Sequence, residues 1–373
     1  MESKSLHEVL KTHFEKLLDR KLNSSVWPPT KEDYRNAHLE QRSEKLMSNL
    51  LFLSANKSRL INFIANGVDI RPKAIIPEIK LVQPNTLEAD LFRFLSLNWS
   101  IPVSEGYGRR MRFLVWDRSN EKVLGIFALG DAVFNLKVRD DYIGWNAETR
   151  KNKLVNIMDA YILGAAPGYN LLLGGKLIAS LVKTQEIVSL FREKYKNSVG
   201  LISGNSKNPY LSYVTLTSAL GRSSVYNRLK LNDDQIFKKI GQTSGWGHFH
   251  VSKETFSLLV EYLESINDPY FKSYDFGKGP NWRIRVIKRG LSLLGIDSTL
   301  MQHGYQREVY LCELANNSLD FINGNSPIPD YSSLKTVKEL SKLALDRWVI
   351  PRSERNAEYL SFKKESFIDG FSH

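Results

Sequence analysis

The chain has 373 residues, 42% hydrophobic and 25% charged, a composition that suits a globular protein with a sizeable core and excludes a low-complexity or disordered one. Its 52 Lys and Arg against 40 Asp and Glu leave a formal charge of +12, and the lone cysteine, Cys312, excludes a disulfide scaffold and a cysteine-based metal cluster. The longest apolar runs, such as Ala160–Ala166, are far too short to cross a bilayer, and no signal-peptide core follows Met1, so a cytoplasmic protein is expected.

From the N-terminus, Leu6, Val9, Leu10, Phe14, Leu17 and Leu18 recur at three- and four-residue spacing, the mark of one buried helical face. Pro28-Pro29 ends that helix, and Thr30-Lys-Glu-Asp offers a capped restart into helices over about 32–54 and 57–65. Pro72, Pro77 and Pro84 make residues 70–85 an extended connector. A short helix, Leu91–Leu95, then precedes a hairpin of Met111–Asp117, a turn, and Val123–Leu129, with a helix expected at Asp131–Val138.

The segment from Val155 to Arg228 is the most informative. It reads as a strand (Val155–Gly164), a glycine-bearing loop (Pro167–Lys176), a long helix (Leu177–Lys196) and a second strand (Val199–Ser203). A polar, turn-rich Ser206–Thr217 and the segment Gly221–Arg228 follow. Further on come a glycine turn into a strand (Ser244–Val251), helices at Glu254–Ser265 and Pro280–Leu294, and a strand at Arg307–Leu314 that buries Cys312. A closing helix (Leu334–Arg347) and a mobile tail after Pro351 complete the pattern. The expected division is a helical region and connector over 1–85, an α/β core over 86–240, a C-terminal α/β region over 241–330, and the closing helix and tail over 331–373.

Charge is concentrated where the glycines are: residues 151–250 carry thirteen Lys/Arg and five Asp/Glu, whereas the last 120 or so residues are nearly balanced. A polyanionic partner, either nucleic acid or a phosphorylated cofactor, suits that distribution, and a mildly basic solvated surface is the plainer alternative. Gly174 and Gly175 before the helix, with Lys176, suit a phosphate cradled by backbone amides, or equally a helix start packed closely on a sheet. Arg222 and Arg228, separated by Ser223 and Ser224, suit phosphate contacts. Arg283, Arg285, Lys288 and Arg289 place cations on a helix begun by Trp282, and Trp145 and Trp246 offer stacking surfaces for bases or, more ordinarily, core. His248 and His250 alternate on the expected strand and, with His303, present imidazoles; with no cysteine or carboxylate to complete a metal set, phosphate hydrogen bonding or a structural role is the reading.

The order hairpin, strand, glycine loop, helix, strand and then a Tyr-bearing segment resembles a GNAT-like acyltransferase core over residues 105–235, within an α/β fold with a mixed sheet. That resemblance implies loop amides holding the pyrophosphate of acyl-CoA and Tyr226 as a general acid. Leu171 stands where that family's loop carries Gln or Arg, and Lys176 where it carries a small residue. A second resemblance covers most of the chain. Arg139–Trp145, Gly245–His250, Gly279–Arg285, His303–Tyr310 and Arg347–Arg352 look like blocks of the DruA family of bacterial Druantia anti-phage systems. It implies a role in antiviral defence beside partner proteins that include a large helicase, with no chemistry attached. Two expectations follow: a defence component that binds DNA, RNA or a phosphorylated ligand through a basic cleft, and, alternatively, an acyl-CoA-dependent enzyme.

Overall fold

The computed structural model describes residues 5–22, 29–103, 108–199, 208–248, 250–269, 271 and 282–371, without the side chains of 20–22. Seven strands form one mixed sheet in the spatial order β1-β2-β3-β4-β5-β9-β8. They are β1 (Pro77–Leu81), β2 (Arg110–Asp117), β3 (Lys122–Asp131), β4 (Ile157–Ala165), β5 (Tyr213–Thr217), β8 (Lys238–Gln242) and β9 (Glu308–Glu313), while β6 (Lys230–Leu231) and β7 (Asp234–Gln235) make a separate ribbon. Every neighbour in the large sheet is antiparallel except β4 and β5. That parallel pair holds only over Ile157–Asp159 against Tyr213–Thr215, after which the two strands part, and β4 carries an extra residue, Tyr161, opposite β3.

Four helices precede the sheet: α1 (Leu6–Leu22), α2 (Lys31–Asn36), α3 (Leu39–Met47) and α4 (Leu50–Leu60). The Thr30 capping box that starts α2 is the one legible in the sequence. α5 (Leu87–Ser96) links β1 to β2, α6 (Lys137–Ile143) and α7 (Ala147–Lys153) link β3 to β4, and α8 (Gly174–Ser180) and α9 (Gln185–Tyr195) cross from β4 to β5. Both hairpin strands are apolar almost throughout because the sheet is covered on both faces; Phe113 and Phe127 stack across them at 4.5 Å. α10 (Lys253–Ser265) and α11 (Trp282–Leu293) lie between β8 and β9 and form a second core with α1 through Leu10, Phe14, Leu259, Leu263, Ile287 and Leu291. Each such fully buried Leu or Phe contributes roughly 1.5–3 kcal/mol, which anchors α1 far from its chain neighbours.

Several expectations change. α1 packs with the helices between β8 and β9, and β8 spans residue 240. The connector contains β1, an edge strand that starts at Pro77, where a missing N–H costs no ladder bond. The expected helix over 32–54 is broken into α2, α3 and α4, and the one over 177–196 into α8 and α9. That second break occurs because Thr184 leaves the helix to bridge Lys335 and the Gln185 N–H donates to the Lys335 carbonyl at 3.0 Å. Residues 200–203 of the expected second strand, like Pro28, Phe249 and residues 279–281, lie outside the described residues. The strand that runs parallel to β4 is β5, in the segment read as turn-rich. Its hydroxyls hid an otherwise buried run, and Thr215 Oγ1 donates to the Met158 carbonyl at 3.4 Å. No strand forms over the described residues of Ser244–Val251. The tail after Pro351 is anchored rather than loose: Tyr359 and Phe367 are buried, and Phe367 meets Phe94 edge-on at 5.1 Å.

Candidate functional site

Gly174 is buried against the turn before it; a Cβ there would lie 2.6 Å from the Tyr169 carbonyl oxygen, whereas Gly175 faces open space. The first glycine is therefore required by packing, and α8 is only seven residues long. The chemistry lies in what gathers beside it. Lys176 is half-buried, with Nζ 5.3 Å from the centre of the Trp348 ring. Burial, and then the positive charges of Arg228 and Arg347, hold its pKa below the ordinary lysine value. Arg352 Nε donates to the Leu171 carbonyl at 3.3 Å, so the block Arg347–Arg352 is fastened onto the glycine loop. Three cations from distant parts of the chain thus share one neighbourhood. Among the described residues, none of Lys176, Arg228 and Arg347 forms an ion pair.

The turn Gly221–Arg228 stands beside this cluster. Arg222, Ser224 and Arg228 are exposed, whereas Ser223 is buried, its Oγ accepting from the N–H groups of Val225 and Tyr226 at 3.2 Å each. Tyr226 belongs to a one-turn 3-10 helix and packs edge-on against Tyr310 at 5.5 Å and obliquely against Phe237 at 5.8 Å. Burial pushes its hydroxyl up to about 12, so it stays protonated at neutral pH. Beneath the turn lies Glu308, which the sequence reading missed. It is 3% exposed and binds Lys239 Nζ at 2.7 Å, the Ser223 N–H at 3.0 Å, Asn227 Nδ2 at 3.1 Å and the Tyr310 hydroxyl. Burial alone would raise its pKa, but the hydrogen bonds from Lys239, Tyr310 and Ser223 outweigh it and hold the carboxyl at about 2. Above Glu308 opens a cleft of about 620 Å³ lined by Tyr34, Arg222, Asn227, Lys239, Gln242 and Gln306 among others. The only sequence signal for this floor was one acidic residue opening an apolar strand.

The remaining candidates belong to the junction around the helical unit. Arg283 Nη2 donates to the carbonyls of Val251 at 2.6 Å and Ser252 at 3.2 Å, and its guanidinium lies 4.6 Å from the Phe256 ring centre. Arg289 pairs with the buried carboxylate of Asp268 through Nη2 at 2.7 Å and Nε at 3.0 Å. Arg285 and Lys288 are exposed, and Lys288 Nζ sits 5.0 Å from the ring of Trp246, which is 41% exposed. Trp145, in contrast, is buried with the Arg139–Asp140 pair, where no base can stack. The rings of His250 and His303 meet at 6.1 Å, and the Tyr305 N–H donates to His303 Nδ1 at 3.1 Å. Burial, then the neighbouring Arg283 guanidinium and His250 ring, lowers His248 to about 4; burial, then the His250 ring and Arg307, lowers His303 to about 3. Both are neutral at pH 7. Among the described residues, no three His, Cys, Asp or Glu come together to hold a metal ion. The structure thus brings Gly174, Gly175, Lys176, Arg228 and Tyr226 into one region with Arg222, and places His248, His250, His303, Arg283, Arg285 and Arg289 in another.

The aromatic and basic blocks read from the sequence account for much of this architecture. A family model described as Druantia protein DruA matches residues 28–324. The chain belongs to the DruA family. It is 46% identical over 344 residues to the Druantia protein DruA of Escherichia coli strain UMEA 4076-1, which covers 92% of this chain and 85% of that relative. No solved structure matches the fold. Within this DruA-family chain the described blocks divide the labour: Arg139–Trp145 buries the Arg139–Asp140 ion pair, residues around His250, Arg283 and His303 join parts of the helical unit to one another, and Arg347–Arg352 brings its cation to the glycine loop. No described helix is long and apolar enough to cross a membrane.

Proposed function

We propose that this chain is a cytoplasmic component of a bacterial Druantia anti-phage system that binds nucleic acid through the cations beside the glycine loop, working with other proteins of the system, a helicase among them. Family membership supports the defence role. The observation that carries the binding reading is the convergence of Lys176, Arg228 and Arg347 from three separate segments without a carboxylate to neutralise them among the described residues. Like charges held together in a folded protein repel, and a polyanion relieves that cost while gaining charge-assisted hydrogen bonds. Arg222 and the exposed Arg285–Lys288 face extend the same positive field. Fluorescence anisotropy with single- and double-stranded DNA and RNA across a salt series tests the reading. Lys176→Gln, Arg228→Ala and Arg347→Ala together are expected to flatten the log–log salt dependence by roughly two to three, about one unit for each lost phosphate contact. Binding indifferent to salt and to those substitutions rejects it.

A second reading, a GNAT-like core that takes acyl-CoA, is favoured by the way β4 and β5 part after Asp159. Two parallel strands that separate leave unpaired backbone donors and acceptors along a wedge, beside the loop that follows β4, where an extended ligand can lodge. Tyr226, protonated, would serve as the acid. Calorimetry with coenzyme A and acetyl-CoA separates the readings. Gly175→Trp places its bulk in open space, so loss of binding there reports the ligand and not the fold.

A further inference from the structure

The cleft above Glu308 has a composition that the packing of the protein does not explain. Glu308 itself is saturated by Lys239, Ser223, Asn227 and Tyr310, so the floor is fixed and offers no acceptor to a ligand. One wall is pinned by the Tyr34 hydroxyl, which donates to the Gln306 carbonyl. Gly221, at φ +71°, lets that wall close, since a Cβ there would meet Tyr34 Oη at 2.7 Å. Around this rigid frame stand polar side chains with unused capacity. Arg222 makes no ion pair, and the side-chain amides of Gln242 and Gln306 make no hydrogen bond, among the described residues. Lys239 gives one ammonium proton to Glu308 and keeps two.

We propose that this cleft binds a single phosphate-bearing nucleotide, with Arg222 and Lys239 on the phosphate and the Gln242 and Gln306 amides on the edge of the base. The sign of the charge fits: two cations against one carboxylate leave a net positive site for an anionic phosphate. Donors and acceptors fit: a glutamine amide offers the adjacent pair that reads a heterocycle edge bidentately. Size fits: about 620 Å³ lies in the range of pockets that enclose small-molecule ligands, and a nucleotide fills it where a bare phosphate does not. A free nucleotide and the end of a nucleic-acid strand present the same phosphate chemistry to this cleft. The cleft adjoins the Lys176 cluster but uses none of Lys176, Arg228 and Arg347, so its test is distinguishable from that of the nucleic-acid reading.

Isothermal titration of the full-length protein with AMP, GMP, CMP, UMP and adenosine, and with 5′-phosphorylated and 5′-hydroxyl oligonucleotides, tests this. At least one phosphorylated ligand is expected to bind, and its unphosphorylated counterpart at least roughly tenfold more weakly. Arg222→Ala and Gln242→Ala, both exposed and free of structural partners among the described residues, are each expected to weaken that binding about tenfold while leaving the melting temperature unchanged. The double variant Lys176→Gln, Arg347→Ala is expected to leave nucleotide affinity intact. Binding of free nucleotides identifies a nucleotide pocket, and binding of phosphorylated ends alone identifies a strand-end pocket; either supports the site. No binding by any phosphorylated ligand at about millimolar concentration, equal affinity for AMP and adenosine, or affinity untouched by both single variants overturns it.

Discussion

The region around Lys176 and the helical unit around Arg283 carry the same residue types in opposite states. Beside the glycine loop, Arg228 and Arg347 both bear on Lys176, and none of the three forms an ion pair with a carboxylate among the described residues. In the helical unit, Arg283 is held by two carbonyls and an aromatic face, and Arg289 by a buried aspartate. A guanidinium that satisfies carbonyls and a carboxylate is part of the fold, and removing it exposes the cost of leaving those groups unpaired. A cation without such partners contributes little to stability and remains available to a ligand. Sequence spacing cannot tell the two apart, because the partner that decides the matter comes from another segment.

The sharpest way to break this comparison is at the carboxylate that organises the binding side. Glu308→Ala leaves the Tyr310 hydroxyl and the Ser223 N–H without their acceptor beneath the cleft and takes the carboxylate from Lys239. A loss of about 3–5 kcal/mol in urea unfolding is expected, the usual scale for deleting one partner of a buried charged network. A loss under about 1 kcal/mol would mean that water reaches these groups freely and that the cleft floor is not a fixed frame.

The next effect is a pH dependence that belongs to the other region. His248 and His303 are held near pKa values of about 4 and 3 by burial, below the ordinary histidine value of 6.5. The folded state therefore favours their neutral form, and the unfolded chain binds more protons as acid is added. Their contribution is fully present above about 6.5 and is lost as pH falls through 4 towards 3, at up to ~1.4 kcal/mol per pH unit for each ring that titrates only when unfolded. Melting curves between pH 7 and pH 4 are expected to show His303→Gln with a shallower decline than the parent. Parallel declines would show that the ring is not shielded as its surroundings indicate.

What the sequence disclosed follows from how local each signal was. The amphipathic face of α1, the Thr30 capping box and the apolar runs of β2 and β3 are short-range patterns, and the structure contains all of them. β5 was hidden because the hydroxyls of Thr215 and the adjacent Ser212 donate to backbone carbonyls inside the core, which no periodicity reveals. β1 was hidden by the prolines around it. For the sites, the glycine loop and its Lys176 were legible, yet Arg347 lies far along the chain and Lys239, Gln242 and Glu308 meet only once β8 and β9 pair. Only the register of that pair puts Gln242 opposite Glu308. Long-range pairing decided the cleft, and nothing within a dozen residues announced it.

The smallest effect expected is also the one that sharpens the comparison most finely, because it lies on the helical unit and yet resembles the binding side. Lys288 is exposed on α11, next to the committed Arg289 and beside Trp246. If exposure and partners, rather than position in the chain, determine what a cation does here, Lys288→Ala should change unfolding free energy by no more than about 0.5 kcal/mol. It should still lower nucleic-acid affinity slightly at low salt through the shared positive field, an effect expected to vanish near physiological ionic strength, where charges beyond roughly 8 Å are screened. Arg289→Ala, a single residue further along, should do the reverse: destabilise the helical unit by taking the guanidinium away from the buried Asp268 carboxylate, with no change in the salt dependence of binding. Finding both variants alike, either both destabilised or both silent in stability, would show that the Asp268 pair does not distinguish the two cations, and the division between structural and available charge would lose its physical basis.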